Sequence, residues 1–359
     1  MDPAIKFLKP GGLTTVQDQG RSNHSASGIS QGGAYDLSSL ALANRLVGNP
    51  PIAAGLELTM FGPVLKALRP FCMSVVGADI HCEIQGPGKK ALFFPTRRPV
   101  FVKAGTQLGF GAIAGGGRAW MAFSGGIRAD PILDSLSSHL AANIKPVTIS
   151  SNSLLNLKSI EEWVIVNRLL KAMDRTLDSI KSSSFGETLN FFQSDGIIFP
   201  RWFVPDYRQD QAEVKWVRVI KGRHFSMLAK SDQESLLKTR WTVDSSSNRQ
   251  GIILSGKALS TKSMTSIKSE PVRFGTVQLP PSGLPIILGV EHQTTGGYPR
   301  VLEVISSDRP LLARLTGGTR FTFELVDQAM AIHLASELDT HTKWQQKAIA
   351  LKLGGLLHT

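Results

Sequence analysis

The stretch from Gly55 to about Arg128 constrains the fold most strongly. "LELTMFGPVLKAL", "FCMSVVGADIHCEI", "PVFVKAGTQLGFGAI" and "RAWMAFSGGI" are short apolar or alternating runs, each broken by Gly or Pro. No long helical pattern lies between them. Runs of this kind at this spacing predict antiparallel strands closed into a barrel or stacked as a sandwich. The same texture returns late in the chain, in "EVKWVRVIKG", "RWTVDSSSNRQGIILSG", "VRFGTVQLP", "PIILGVEHQ", "RVLEVISS" and "TRFTFELV". The 34 glycines and 19 prolines suit a chain with many turns. The expectation is a mainly β protein with a few helices, in two β-rich lobes.

The helical patterns are few. Asp36 is a good N-cap, because its carboxylate can accept a free amide of the first turn. Leu37, Leu40, Ala41 and Val47 then fall on one face, and Gly48 with Asn49-Pro50-Pro51 ends the helix. Between 150 and 185, Trp163, Val166, Leu170, Met173, Leu177 and Ile180 recur at spacings of three and four. That is a heptad-like seam, which either packs on its own domain or meets a partner helix. A shorter helix is expected near 226–238. An amphipathic one is expected over 328–353, closed by Gly354. These patterns divide the chain into an N-terminal β lobe (1–145), a helical insert (146–194), a C-terminal β lobe (195–327) and a terminal helix (328–359).

Composition narrows the function classes. The 359 residues are 42% hydrophobic and 19% charged, an ordinary globular balance. The formal charge is +12, yet no Lys/Arg block is long and aromatics are few. This favours a basic enzyme, or one half of a complex with an acidic partner, and no nucleic acid is expected. No run of about 18 apolar residues exists, so no membrane span is expected. Cys72 and Cys82 form no Cys-x-x-Cys pair and no disulfide framework. The N-terminus lacks the apolar core of a signal peptide, and the expected address is the cytoplasm.

Single motifs fail on context. "GIILSGKA" (251–258) meets a phosphate-loop template until Ala258 replaces the magnesium-binding hydroxyl, and its Ile-Ile-Leu interior reads as strand. "GFGAIA" (109–114) is followed by another loop and strand, not the helix a dinucleotide site requires. The eight histidines are scattered, and no metal set is expected. His24 and His292 are candidate acid–base groups that read equally well as surface residues. No Gly-x-Ser-x-Gly elbow supports a serine hydrolase.

Three loops are denser in polar groups than folding requires. "TVQDQGR" (15–21) offers Gln17, Asp18 and Arg21. "DSSSNRQG" (244–251) offers Asp244, Ser245, Asn248 and Arg249. "EHQTTGGYPR" (291–300) offers Gln293, Thr294, Thr295 and Tyr298, with Gly296 and Gly297 permitting close backbone approach. Amide, carboxylate and guanidinium groups of this kind suit a small planar amide, ureido or carboxylate ligand held by paired hydrogen bonds. Asp18, Arg21 and Arg249 are the catalytic candidates. Gln17, Asp36, Asn248, Gln293, Thr294, Thr295, Gly296, Gly297 and Tyr298 are the substrate-binding candidates, although Asp36 also reads as a helix cap.

"GGLTTVQDQGR", "GISQGGAYDLSSLALANRLVGNP", "GLELTMFGP", "AFSGGI", "SSNRQG" and "QTTGGYPRVLEVISSD" occur in this order. The set resembles the biotin-dependent carboxyltransferase-related family. That family includes the C subunit of bacterial 5-oxoprolinase (KipA-like proteins), allophanate hydrolase subunit 2 and the second half of the carboxyltransferase domain of urea amidolyase. The resemblance covers about 5–135 and 195–327. It implies a cyclophilin-like β-barrel architecture in two lobes and a KipI-like (allophanate hydrolase subunit 1) partner. In the 5-oxoprolinase branch it also implies a lactam-utilisation-type subunit, with ATP driving the opening of 5-oxoproline to glutamate. In the urea branch carboxyl passes to urea from carboxybiotin carried on another chain. A third implied role is regulatory, binding a KipI-like kinase inhibitor without catalysis. Three departures stand out. Tyr35 replaces the family's usual Met; Asn248 and Gln250, flanking Arg249, replace Asp and Met; and "LDSLSSHL" stands where a "GSRST"-like segment is usual.

Overall fold

The computed structural model describes residues 3–85, 92–114, 117–158, 191–194, 196–205, 214–261 and 267–358. The heptad-like seam of 163–180 lies outside them.

The N-terminal lobe is a sandwich of two antiparallel sheets. One runs in the order Leu154–Leu155, Ile5–Lys9, Val64–Ala67, Gln107–Ile113, Ile80–Gln85, Leu92–Phe93. The other runs Phe191–Ser194, Ile197–Pro200, Val100–Val102, Phe71–Gly77, Arg118–Phe123, Gly55–Thr59, Leu13–Gln17. Strand periodicity builds the core: Phe71, Met73 and Val75 point inward to meet Phe7, Leu65 and Phe110. The alternate residues Cys72 and Val76 point outward, yet are also buried, because helix α1 (Leu37–Leu46) covers that face with Leu42, Ala43 and Leu46. Ser74 stays polar there by donating its Oγ to the Ala43 carbonyl at 2.6 Å. Both cysteines are free and buried, acting as small apolar side chains whose thiol pKa burial pushes up.

Helix α1 begins as expected. The Asp36 carboxylate accepts from the amides of Ser38 and Ser39. Its buried face differs from the expected one, since Leu37 is 45% exposed while Leu42 and Leu46 are buried. The helix lies between the sheet and later elements, so burial follows two neighbours and not one stripe.

The C-terminal lobe is a closed barrel in the order Trp216–Lys221, Arg300–Val304, Thr276–Gln278, Ile286–Leu288, Gly251–Ser255, Trp241–Val243, Arg320–Leu325. A parallel pair, Trp216–Lys221 with Arg320–Leu325, closes it. Helix α2 (Lys230–Lys238) plugs one side, where Leu236 is buried and its carbonyl accepts from Trp241 Nε1 at 2.9 Å. A short helix α3 (Arg309–Leu312) precedes the last strand. The stretches 251–258 and 109–114 are strand over Gly251–Ser255 and Gln107–Ile113, as their interiors predicted.

Two boundaries differ from expectation. The second lobe does not open at 195 as expected: Ile197–Pro200 pairs with Val100–Val102 in the first lobe, and the barrel begins at Trp216. The terminal helix α4 (Gln328–His358) passes through Gly354 without stopping. Its Ile349 and Leu353 are buried beside α1 of the first lobe. No helix among the described residues is long and apolar enough to cross a membrane. The lobes share one packed cluster, in which Ala34, Tyr35 and Trp120 of the sandwich join the barrel core.

Candidate functional site

Asp18 ends the strand Leu13–Gln17 and organises the loop opposite. One carboxylate oxygen accepts from Ser135 Oγ at 2.6 Å, Ser137 Oγ at 2.5 Å and the Gly20 amide at 2.8 Å. The other accepts from the Leu136 amide at 2.7 Å. Beside it, fully buried Gln17 donates to the Ser138 carbonyl and to Thr15 Oγ1. Arg21 is 1% exposed and donates one Nη to the Ser137 carbonyl at 2.5 Å. Its Nε and other Nη have no hydrogen-bond partner among the described residues. Burial lowers the pKa of this guanidinium, partly offset by Asp18 and Glu291.

Arg249 is the keystone between the lobes. It enters from the barrel and is 5% exposed. Its Nη1 donates to Glu57 at 2.5 Å, its Nε to Glu291 at 2.5 Å, and its Nη2 to the Gly33 carbonyl at 2.6 Å. Burial opposes the charge, but the two carboxylates outweigh it and raise the arginine's pKa. Glu57 also accepts from the Tyr35 amide at 2.8 Å and Trp120 Nε1 at 3.2 Å. Glu291 accepts from the Ala141 amide at 2.9 Å. Arg249 thus ties Glu57 of the sandwich to Glu291 of the barrel, and each charge has fixed donors or acceptors. Tyr35 wedges into this seam, with Arg118 Cζ 4.2 Å above its ring and Phe274 edge-on at 5.5 Å.

A second group in the seam imitates a nucleophilic triad. Ser30 Oγ lies 3.0 Å from His139 Nε2, and His139 Nδ1 lies 3.8 Å from Glu291. The tautomer is wrong for that chemistry. The Ala142 amide donates to Nδ1 at 3.1 Å, which places the imidazole proton on Nε2, where it donates to Ser30. A general base needs Nε2 free to accept the serine proton. Burial holds the His139 pKa below its usual value, with Glu291 offsetting and Arg21 and Arg249 reinforcing the shift.

The opening of "EHQTTGGYPR" joins the seam and its end leaves it. Glu291 is central. His292 follows, its pKa lowered by burial and its Nδ1 2.5 Å from the Gln293 carbonyl. Gln293 Nε2 donates to buried Gln278 at 3.1 Å. Thr295–Gly296 then pairs with Glu270–Pro271 in a separate two-stranded sheet, while the Thr294 carbonyl accepts the Val272 amide. Gly297 follows beside Ile267, and Tyr298 is 46% exposed. Arg300 pairs with Glu270.

The expected three-loop site is therefore only partly assembled. Gln17, Asp18, Arg21 and Arg249 converge with Glu291 in one buried seam. Asp36 caps α1, and Thr294–Tyr298 lies in and beside the separate two-stranded sheet. Asn248 is exposed and opens onto a different cleft, its side-chain oxygen accepting from the Gln250 amide at 2.8 Å. His24 only precedes a short 3-10 turn. The residues that sequence reasoning left out of the site are Glu291, His139, Ser30 and Tyr35. Glu57 stood only as a motif position. A lone Glu in an apolar strand, "GLELTMFGP", was the available signal, because a buried carboxylate requires a cation.

The chain matches the carboxyltransferase domain, subdomain A and B, over residues 27–325. It is 28% identical over 323 residues to the C subunit of 5-oxoprolinase from Escherichia coli, covering 89% of this chain and 90% of that one. It is 32% identical over 142 residues to urea amidolyase of Saccharomyces cerevisiae, 39% of this chain and 8% of that one. In fold it is similar to the crystal structure of the K. lactis urea amidolyase, with a TM-score of 0.76 and 22% identity over 96% of this chain. The solved structures it resembles are longer, and it spans only 20% of that one. The match over most of its length, with the sandwich and closed barrel it accompanies, makes the chain a member of the family defined by carboxyltransferase subdomains A and B.

Proposed function

We propose that the chain is a subunit of an ATP-dependent 5-oxoprolinase-type complex, opening 5-oxoproline to glutamate in the cytoplasm. Its partners there are a KipI-like subunit and a lactam-utilisation-type subunit. One observation carries this reading: the similarity to the C subunit of 5-oxoprolinase runs end to end, covering 90% of that relative, whereas the urea amidolyase similarity stops at 39% of this chain. In this reading Asp18, which holds the 135–137 loop, and Arg249, which joins the lobes, are positioning residues. Arg21, with two donors lacking partners among the described residues, and Gln293 are the groups assigned to binding a planar amide. The 251–258 stretch does not fit a nucleotide phosphate, because Gly251–Ser255 is barrel wall paired on both sides.

A second reading is a carboxyltransferase half acting on urea or a related amide, with biotin on another chain. The higher local identity to urea amidolyase, 32%, favours it. The test is reconstitution with both partner subunits and measurement of glutamate formed from 5-oxoproline with ATP. A well-folded complex without ATP-dependent turnover sinks the first reading. Carboxylation of urea by a biotin-supplied complex establishes the second. Gln293→Ala is expected to cut turnover with little change in melting temperature.

A further inference from the structure

The other face of the lobe junction holds a cleft of about 940 Å³, at the upper end of the range typical of ligand sites. Arg118, Arg240, Arg314 and Arg320 line it, with Asn248 and Thr319 among its polar groups, and no described Asp or Glu is in its lining. Strand register explains how two of these cations come together. Trp241 faces Phe321 and Thr242 faces Arg320 across an antiparallel pair. Arg240 and Arg320 therefore fall on the same outward face as diagonal neighbours. Neither forms an ion pair with a described residue. Arg118 reaches the floor of the cleft, donating Nη1 to the Ala313 carbonyl at 2.9 Å, while its Nε makes no hydrogen bond with a described residue and stands 3.6 Å from Glu57.

Like charges held side by side on one strand face repel, and folding alone gives no reason to gather them. The +12 chain has many surfaces on which to disperse arginines. Guanidinium forks match the geometry of carboxylate and phosphate oxygens, which they bind in pairs. We propose that this cleft is an oxyanion-binding site, taking the carboxylate or phosphate of a small ligand between Arg240 and Arg320, with Asn248 at its edge. The site is distinct from the buried seam, where Arg249 is already matched by Glu57 and Glu291.

The experiment is calorimetric titration of the full chain with pyrophosphate and, separately, with 5-oxoproline, at fixed ionic strength. At least one of the two should bind. The Arg240→Ala/Arg320→Ala variant should bind it at least tenfold more weakly, and Arg320→Gln alone several-fold more weakly. Lys9→Ala/Lys66→Ala removes the same charge from exposed positions outside the cleft lining and should leave binding unchanged. Binding of pyrophosphate alone identifies a phosphate ligand, and binding of 5-oxoproline alone a carboxylate. Failure of the wild-type chain to bind either overturns the proposal. So does an equal loss in the lysine variant, which would reduce the effect to bulk charge. Circular dichroism checks that the variants fold.

Discussion

The two faces of the lobe junction use arginine in opposite ways. In the seam, Arg249 is buried and each of its three nitrogens donates to an acceptor, Glu291, Glu57 or the Gly33 carbonyl. In the cleft, Arg240 and Arg320 are exposed, adjacent and unanswered by any described carboxylate. The difference teaches that the most distinctive motif residues are not automatically the ligand-facing ones. A buried ion pair across an interface fixes geometry. Removing one member leaves a carboxylate stranded, so such residues are held in place by architecture as firmly as by chemistry.

The largest effect expected is at Arg249. Arg249→Met leaves Glu291 buried without its arginine and Glu57 with only Arg118, 3.6 Å away, and should cost about 3–5 kcal/mol, read by urea unfolding. A loss under about 1 kcal/mol would mean that the lobes are not keyed there, and the contrast between faces would collapse. Next comes Asp18→Ala, which releases the 135–137 loop and should cost about 1.5–3 kcal/mol, the range for bonds to a charged group. Asp36→Ala removes only a cap and should cost about 1 kcal/mol. On the cleft side, Asn248→Ala should stay within about 0.5 kcal/mol of the parent, as surface changes do.

The pH dependence should come from His139 and His292 in the seam and from His224 outside it, whose Nδ1 accepts from the Arg300 amide at 3.1 Å. Burial lowers the pKa of His139, His224 and His292, each of which is therefore protonated more readily unfolded than folded. Their contribution to stability is complete above the ordinary value of about 6.5 and is lost as pH falls through it toward the lowered folded values. Unfolding midpoints measured from about pH 7.5 to about pH 5 should decline, and less steeply in His139→Asn. An unchanged slope in that variant would take the seam out of the effect.

The fold was legible because its signals are local. Gly and Pro punctuate the strands, and Asp36 announces α1. The lobe boundary was not, because "IIFP" pairs with Val100–Val102 and nothing in those four residues names their partner. The site was legible by half. Gln17, Asp18, Arg21 and Arg249 stood out by type, and they do converge. Glu291 opened a quoted decapeptide and was still passed over, since its meaning lies in Arg249, 42 residues earlier. Glu57 lies 192 residues from the same arginine. Tyr35 looked like a departure in a motif; its ring fills the joint between Arg118 and Phe274.

Helix α4 has a consequence for how the chain matures. Its Ile349 and Leu353 complete an apolar cluster begun by Leu42 and Leu46. On a ribosome the two ends of that cluster are separated by about 300 residues of synthesis, on the order of tens of seconds. Throughout that interval the outer surface of α1 waits uncovered, and a nascent chain in this state offers chaperones a greasy handle. The lobe that is made first is finished last.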